Sequence, residues 1–304
     1  MEKIDILVVT YNQEKFIIEC VNSILNQTYS NISIKIFDDC STDSTKELLE
    51  EIVDPRIHLF FNKSNLGVTE NHNKALSSVT SKYFVLVGGD DIFYKDKVEA
   101  QYNFMVKNNN YAICGHFLDN INHKSHVTSK RKTYLHLRKG KGIDKWLNNG
   151  MICGALSLMY NTDYLNTKYD SRLKYASDWK LIIDILKDNK KFKVLNNTLG
   201  AYRKHDHNLT TISYDKCVND QLLALTILKD DGVINSRLHS KCFSYYYNYA
   251  IYIDYISCKS GVEISFKTAL YNLLKFGIAY RFINLRFYVA IVKLIFHKKS
   301  LSNN

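Results

Sequence analysis

A chain of 304 residues, 46% hydrophobic and 13% aromatic, has room for one large domain or two modest ones and is neither disordered nor collagen-like. Lys and Arg outnumber Asp and Glu by 41 to 30, and the charge of +11 points to an anionic partner such as a nucleotide, a phospholipid surface or an acidic glycan. Seven cysteines (Cys20, Cys40, Cys114, Cys153, Cys217, Cys242, Cys258), odd in number and without a Cys-x-x-Cys pair, indicate neither a zinc site nor a disulfide framework, and a reducing cytosol suits them.

The first ninety residues alternate strand and helix patterns. IDILVVT (4–10) is a buried-strand run, and from about Glu14 to Gln27 the residues Phe16, Ile17, Cys20, Val21, Ile24 and Leu25 form one helical stripe. A strand at 32–39 follows, then a helix whose Ser44 and Glu47 have capping-box spacing. A strand at 57–62, a helix near 69–79 and a strand at 82–89 continue the rhythm, so right-handed crossovers and a mostly parallel sheet are expected. A strand run starting three residues after Met1 leaves no secretory signal to be expected.

Residues 95–108 read as a helix, and 121–142 as a polar segment with seven Lys and Arg residues, either a solvated loop or a loop facing an anionic acceptor. MICGALSLMY (151–160) is strand-like, and ASDWKLIIDILKDN (176–189) is an amphipathic helix entered at Ser177 and Asp178. From about 213 onward the pattern turns helical and Tyr-rich, giving expected domains at 1–212 and 213–304. The segments 244–257 and 278–299 mix aromatics with basic residues, and suit either a helical bundle or a surface docking on anionic lipid. The apolar stretch from Ile278 to Phe296 is interrupted by Arg281, Arg286 and Lys293, which makes it a poor membrane span.

Ligands of parallel sheets collect at the carboxyl ends of the strands. Three polar clusters fall there: Thr10-Tyr11-Asn12, Asp38-Asp39-Cys40-Ser41, and Asp90-Asp91. The last follows two glycines, and Gly88-Gly89-Asp90-Asp91-Ile92-Phe93 is close to the GGDEF stretch of cyclic-dinucleotide synthases. In those enzymes the glycines sit in an antiparallel hairpin, whereas here the following segment, YKDKVEAQYNFMVKN, is helical and no partner strand is evident.

Together, ILVVTYNQEKFIIECVNSILNQTYSNISIKIFDDCSTDST, NLGVTENHNKAL, YFVLVGGDDIF, KYASDWKLIIDIL and YRKHDHN resemble, in order, the motifs of a family 2 glycosyltransferase over about residues 1–210. The resemblance implies a GT-A type, Rossmann-like α/β fold, a mostly parallel sheet flanked by helices, followed here by a C-terminal helical region. It implies that Thr10, Tyr11 and Asn12 line a nucleotide pocket, that Asp39 accepts the imide N–H of a uracil, and that Asp90 lies near the ribose or sugar. An N-terminal cap for the next helix is the alternative role of Asp39. Asp91 would ligate Mg²⁺ or Mn²⁺, which bind through one or two carboxylates plus substrate phosphates. Many relatives carry a further Asp where this chain has Gly88, which bears on the sugar and ribose contacts.

Asp178 matches the family's general base, with Ser177 replacing a frequent Glu. Its place at a helix N-terminus would favour the charged form, and a plain helix cap is its alternative role. Arg203 and His205 resemble the late element that closes over the diphosphate, Arg203 by phosphate contact and His205 as a further metal ligand, with His207 a weaker candidate. The expected activity is inverting, metal-dependent transfer from a nucleotide-diphosphate sugar, UDP-linked because of Asp39, to a hydroxyl of a lipid-linked or growing surface-glycan acceptor. Donor and acceptor are the expected partners, with an anionic membrane surface at the C-terminal helices and no nucleic acid. The expected location is the cytoplasm, peripheral at the inner face of the membrane. Gly88 and Ser177 leave open a catalytically silent nucleotide-sugar-binding or assembly subunit, with a diguanylate cyclase a distant third.

Overall fold

The computed structural model describes residues 2–206, 208 and 214–257. The chain divides into two compact units, Met1–Thr211 and Ile212–Asn304. His207 and the expected helix at 278–299 lie outside the described residues.

The first unit is built on a mixed sheet whose strand order is β3-β2-β1-β4-β9-β6-β10-β5. Its first side is parallel throughout: β1 (Ile4–Thr10), β2 (Ile32–Asp38), β3 (Ile57–Phe61) and β4 (Tyr83–Gly88) pair in the order 3-2-1-4. Every residue of β1 and β2 is buried. That matches an interior parallel strand covered by helices on both faces. The crossovers are α1 (Ile17–Leu25), α2 (Thr45–Glu50) and α3 (Val68–Ser77), and α1 packs Ile17, Cys20, Val21 and Ile24 into the core.

Beyond β4 the order of elements loosens. A two-residue strand, β5 (Ile92–Phe93), precedes α4 (Lys97–Lys107), then come β6 (Tyr111–Ile121), the fully exposed β7 (Val127–Arg131) and the short β8 (Lys139–Lys141). After α5 (Asp144–Asn149), the expected strand at 151–160 shrinks to β9 (Met159–Asn161), because a 3-10 turn occupies Ala155–Ser157. That short β9 runs antiparallel to both β4 and β6 and joins the two sides of the sheet. The chain closes the unit with α6 (Ser177–Leu186) and the long, bulged β10 (Lys191–Arg203), parallel to β6 and antiparallel to β5 and β8.

The Ser44–Glu47 capping box does not form, since Ser44 makes no side-chain cap at α2. Asp43 accepts from Thr45 N at 3.0 Å and Glu14 accepts from Ser44 N at 3.0 Å, so a neighbouring loop serves that helix end instead.

In the second unit α7 (Tyr214–Asp230) and α8 (Ser236–Ser257) form a helix pair. Helix α7 ends at Gly232, φ +72, whose N–H reaches Lys229 O at 3.0 Å while Val233 N reaches Leu228 O at 2.9 Å. This is the Schellman pattern that a left-handed glycine permits. Among the described residues no helix is long and apolar enough to cross a membrane.

Candidate functional site

The loops leaving β1 and β2 are woven together. Asn12 (φ +52) and Cys40 (φ +62) both take left-handed turns, Asn12 N donates to Ser41 Oγ at 2.9 Å, and Thr42 N donates to Asn12 Oδ1 at 2.8 Å. Gln13 N reaches Thr45 Oγ1 at 2.8 Å and Glu14 N reaches Asp43 Oδ2 at 3.1 Å. These bonds hold the two strand ends as one rim.

Below that rim opens a cavity of about 720 Å³, lined by Thr10, Tyr11, Asn12 and Asp39 at one end and by Asp90, His205 and Asn208 at the other. Six of the nine candidates among the described residues therefore meet in one place. A second hollow of about 590 Å³, around Ser23, Asn26 and Lys95, contains none of them.

Asp39 is buried and does not cap α2; it organises the segment before α3. Its Oδ1 accepts from Asn62 Nδ2 and Leu66 N, each at 2.8 Å, and its Oδ2 accepts from Gly67 N at 2.9 Å. Gly67, at φ +83, supplies the turn that offers consecutive amides to one carboxylate. A carboxylate offers about four acceptor sites, so Oδ2 retains capacity for one more donor. Exposed Tyr11, Leu66 and Val68 stand beside this end.

At the other end the backbone of Gly89 passes close under the β1 loop. A Cβ there would come 2.5 Å from Gln13 Oε1 and 2.7 Å from Ile17 Cδ1, so a side chain at 89 would have to displace the ends of both. Gly88 is different. A Cβ on it would meet Asp90 Oδ1 at 2.7 Å, so the Asp90 carboxylate fills the space that a side chain at 88 would enter. Strand β4 ends at Gly88, and Ile92–Phe93 pairs with β10 rather than with β4, so there is no GGDEF-type hairpin.

Asp90 Oδ2 lies 3.0 Å from His205 Nε2 and 3.3 Å from Asn208 Nδ2. Asp91 sits behind it, buried, with Oδ1 accepting from Arg203 N at 3.0 Å. Burial, with the Asp90 charge adding, pushes the Asp91 carboxyl well above its ordinary value, and the Arg203 N–H and guanidinium pull it back. No group of three or more His, Cys, Asp or Glu suited to a metal gathers among the described residues. Asp90, Asp91 and His205 offer hard carboxylate oxygens and an imidazole, the donor types that a divalent ion takes when phosphate oxygens complete its shell.

Arg203 and Asp178 stand apart from this cavity. The Arg203 side chain is fully buried, and its guanidinium is spent on four protein acceptors. Its expected closure over a diphosphate is not the arrangement found. Asp178, second residue of α6, accepts from Trp179 N at 2.7 Å. It keeps partial solvent contact, yet crowding by protein pushes its carboxyl up to about 6, against the backbone N–H bonds and Arg131 that pull it down. Burial thus outweighs the helix-terminus effect, the reverse of the sequence expectation.

Several residues at the site have no role in the sequence reading although they lie within its motifs. Asn65, Gly67, Asn71, His72 and Tyr202 line the cavity. The first four fall within NLGVTENHN, whose Asn and Gly density was the available signal. Tyr202 opens YRKHDHN, where the reading rests on Arg203 and His205.

A sheet parallel on one side, flanked by helices and with a cavity at its carboxyl edge, defines a Rossmann-like α/β protein, and similarity to solved structures narrows it to the GT-A fold. The chain superposes on Staphylococcus aureus TarS 1–349, crystallised with UDP-GlcNAc, with a TM-score of 0.68 at 18% identity over 90% of this chain and 80% of that one. It also superposes on the mannosyltransferase PcManGT of Pyrobaculum calidifontis, solved with GDP-Man and Mn²⁺, with a TM-score of 0.64 at 13% identity over 99% of this chain and 80% of that one.

The glycosyl transferase family 2 model matches residues 5–167, and the chain belongs to that family. An uncharacterised glycosyltransferase of Haemophilus influenzae is 36% identical over 46% of this chain and 58% of its own length. The Escherichia coli protein WfgD, named UDP-Glc:alpha-D-GlcNAc-diphosphoundecaprenol beta-1,3-glucosyltransferase, is 30% identical over 61% of this chain and 70% of its own length. The chain spans 58% and 50% of the lengths of two Haemophilus relatives.

Proposed function

We propose that the protein is an inverting, divalent-metal-dependent glycosyltransferase that takes a sugar from a UDP-linked donor to a hydroxyl of a lipid-linked or growing surface-glycan acceptor. The observation that carries this reading is the single cavity joining Tyr11 and Asp39 to Asp90 and His205. The similarity to WfgD, named for a UDP-glucose donor and a diphosphoundecaprenol acceptor, and to TarS, crystallised with UDP-GlcNAc, supports it. In this reading catalysis belongs to residues 1–212 and residues 213–304 are accessory, with the protein in the cytoplasm, peripheral at the membrane.

In this reading Thr10, Tyr11 and Asn12 hold the nucleoside. The free lone pair of Asp39 Oδ2 takes the N3–H of uracil, a donor that a carboxylate recognises better than an amide would. Asp90, in the space left by Gly88, faces the ribose and sugar. Asp91 and His205 would hold Mn²⁺ or Mg²⁺, which when bound neutralises charge developing on the leaving diphosphate. His205 would have to exchange its hydrogen bond to Asp90 for that role.

Asp178, largely ionised at neutral pH, takes the proton of the acceptor hydroxyl as its oxygen bonds the anomeric carbon and the bond to the diphosphate breaks. A single displacement with base and leaving group on opposite faces inverts the anomeric centre.

A thermal-shift panel of UDP, GDP and dTDP and their sugars with Mn²⁺ tests the donor site. Stabilisation by UDP species above the others is the expected outcome. Selective stabilisation by GDP species would overturn the role given to Asp39.

A further inference from the structure

We infer that Arg203 is a positioning residue that sets the Asp90–Asp91 pair from behind, and that Glu19 of α1 and Ser125 of the β6–β7 hairpin complete its grip. This rests on the nucleotide-site reading above and changes the part played there by Arg203.

The guanidinium makes four bonds, none of them into the cavity. Nε donates to Asp90 O at 2.8 Å, one terminal nitrogen to Asn122 O at 3.1 Å and Ser125 Oγ at 3.0 Å, and the other to Glu19 Oε2 at 2.6 Å. The residue's own backbone N–H holds Asp91 Oδ1 at 3.0 Å. One residue therefore fixes the main chain of Asp90 and the side chain of Asp91 together. The far side is closed as well, because Ser125, turned back at φ +62, donates to both oxygens of Glu19 at 2.7 and 2.9 Å.

Phe16 joins this grip to the cavity wall. Its ring lies 4.7 Å from the Arg203 guanidinium carbon and 5.0 Å from the His205 ring, with which it stacks. His205 in turn contacts Asp90 Oδ2 at 3.0 Å. A planar fork with five donors can serve acceptors on three separate segments at once, whereas a lysine ammonium can serve them only as a point charge. Groups that orient ligating carboxylates commonly govern metal affinity without touching the ion.

The test compares Glu19→Gln, Arg203→Lys and the double variant in the full chain. UDP affinity is measured by calorimetry in EDTA and in saturating Mn²⁺, and Mn²⁺ binding by electron paramagnetic resonance without nucleotide. The expected result is UDP affinity in EDTA within about twofold of wild type for both single variants, with the Mn²⁺-dependent gain falling about tenfold in Arg203→Lys and less in Glu19→Gln. The double variant should fall no further than Arg203→Lys, because both act through one contact set.

Glu19 is half-exposed and outside the cavity, so its variant keeps the test sound should Arg203→Lys fail to fold. Loss of metal-free UDP affinity in Arg203→Lys, with Glu19→Gln behaving as wild type, would overturn the inference and return Arg203 to direct phosphate contact. A wild-type protein with no UDP affinity in either condition would refute the nucleotide-site reading itself, and this inference with it.

Discussion

The two sides of the sheet meet at β4 and obey different rules. On the β3-β2-β1-β4 side every ladder is parallel and in unbroken register, and the site residues sit in tight loops cross-bonded to one another. On the β9-β6-β10 side, ladders of both senses alternate, β10 slips register repeatedly against β6, and basic side chains crowd the edge strands. In the proposed reading the first side receives the donor. The second carries Asp178, the proposed base, and the exposed hairpin, and loops on a firm scaffold are where variety in an acceptor is tolerated.

The sharpest way to break this division is Asp178→Asn. If donor binding and proton abstraction belong to opposite sides, the variant should lose about 10²–10⁴-fold in acceptor-dependent UDP release while its UDP affinity stays unchanged. The wild-type rate should fall about tenfold per unit below pH 6 and level off above pH 7, because the base works ionised and its carboxyl sits at about 6. The stability sign is opposite. A carboxyl raised in the fold binds its proton more tightly there than in the unfolded chain, so wild-type stability falls between about pH 4 and 6 and the Asn variant lacks that fall. Equal loss of UDP binding and turnover would erase the division.

How much of this was legible beforehand follows the same boundary. Parallel strands buried on both faces write themselves as apolar runs, and IDILVVT and YFVLVG are such runs. Their carboxyl-end clusters could therefore be placed before any coordinates. Strand β10 hides its own pattern, since Asn196 and Asn197 interrupt it where the register shifts. The role of Arg203 was unreadable for a different reason. Its partners Glu19, Asn122 and Ser125 lie 184, 81 and 78 positions away, and only the fold brings them together. The carboxyl of Asp178 was misjudged because helix position is local and burial is not.

A smaller effect probes the interior under the second side. Lys97 is fully buried, donates to Gln101 Oε1 at 2.7 Å and lies 4.4 Å from the centre of the Phe93 ring, and among the described residues no carboxylate pairs with it. Burial lowers its ammonium to about 7. Between pH 7 and 10.5 the unfolded chain then binds a proton that the fold does not, so stability rises with pH by up to about 1.4 kcal/mol per unit. Lys97→Met should remove that slope in denaturant titrations at pH 7, 8 and 9. An unchanged slope would mean that the ammonium finds a partner in solution, and that this interior is less dry than the parallel side.

The smallest expected effect concerns the edges. On the parallel side β3 ends the sheet with Ile57–Phe61, which carries no Lys, Arg, Asp or Glu. On the other side β8 meets β10 with Lys141 opposite Lys191 and Lys139 opposite Lys193. Side chains directly opposite in an antiparallel pair share a face, and like charges there cost roughly 0.2–1 kcal/mol. Lys139→Glu should therefore stabilise the fold by about 0.5 kcal/mol at low salt, with most of the gain lost in 1 M NaCl, where the screening length is about 3 Å. Lys139→Ala should give a smaller gain, since it removes repulsion without adding attraction. If neither variant moves the melting temperature, solvent already screens the ribbon, and its lysines set surface charge without straining the strand pair that carries them.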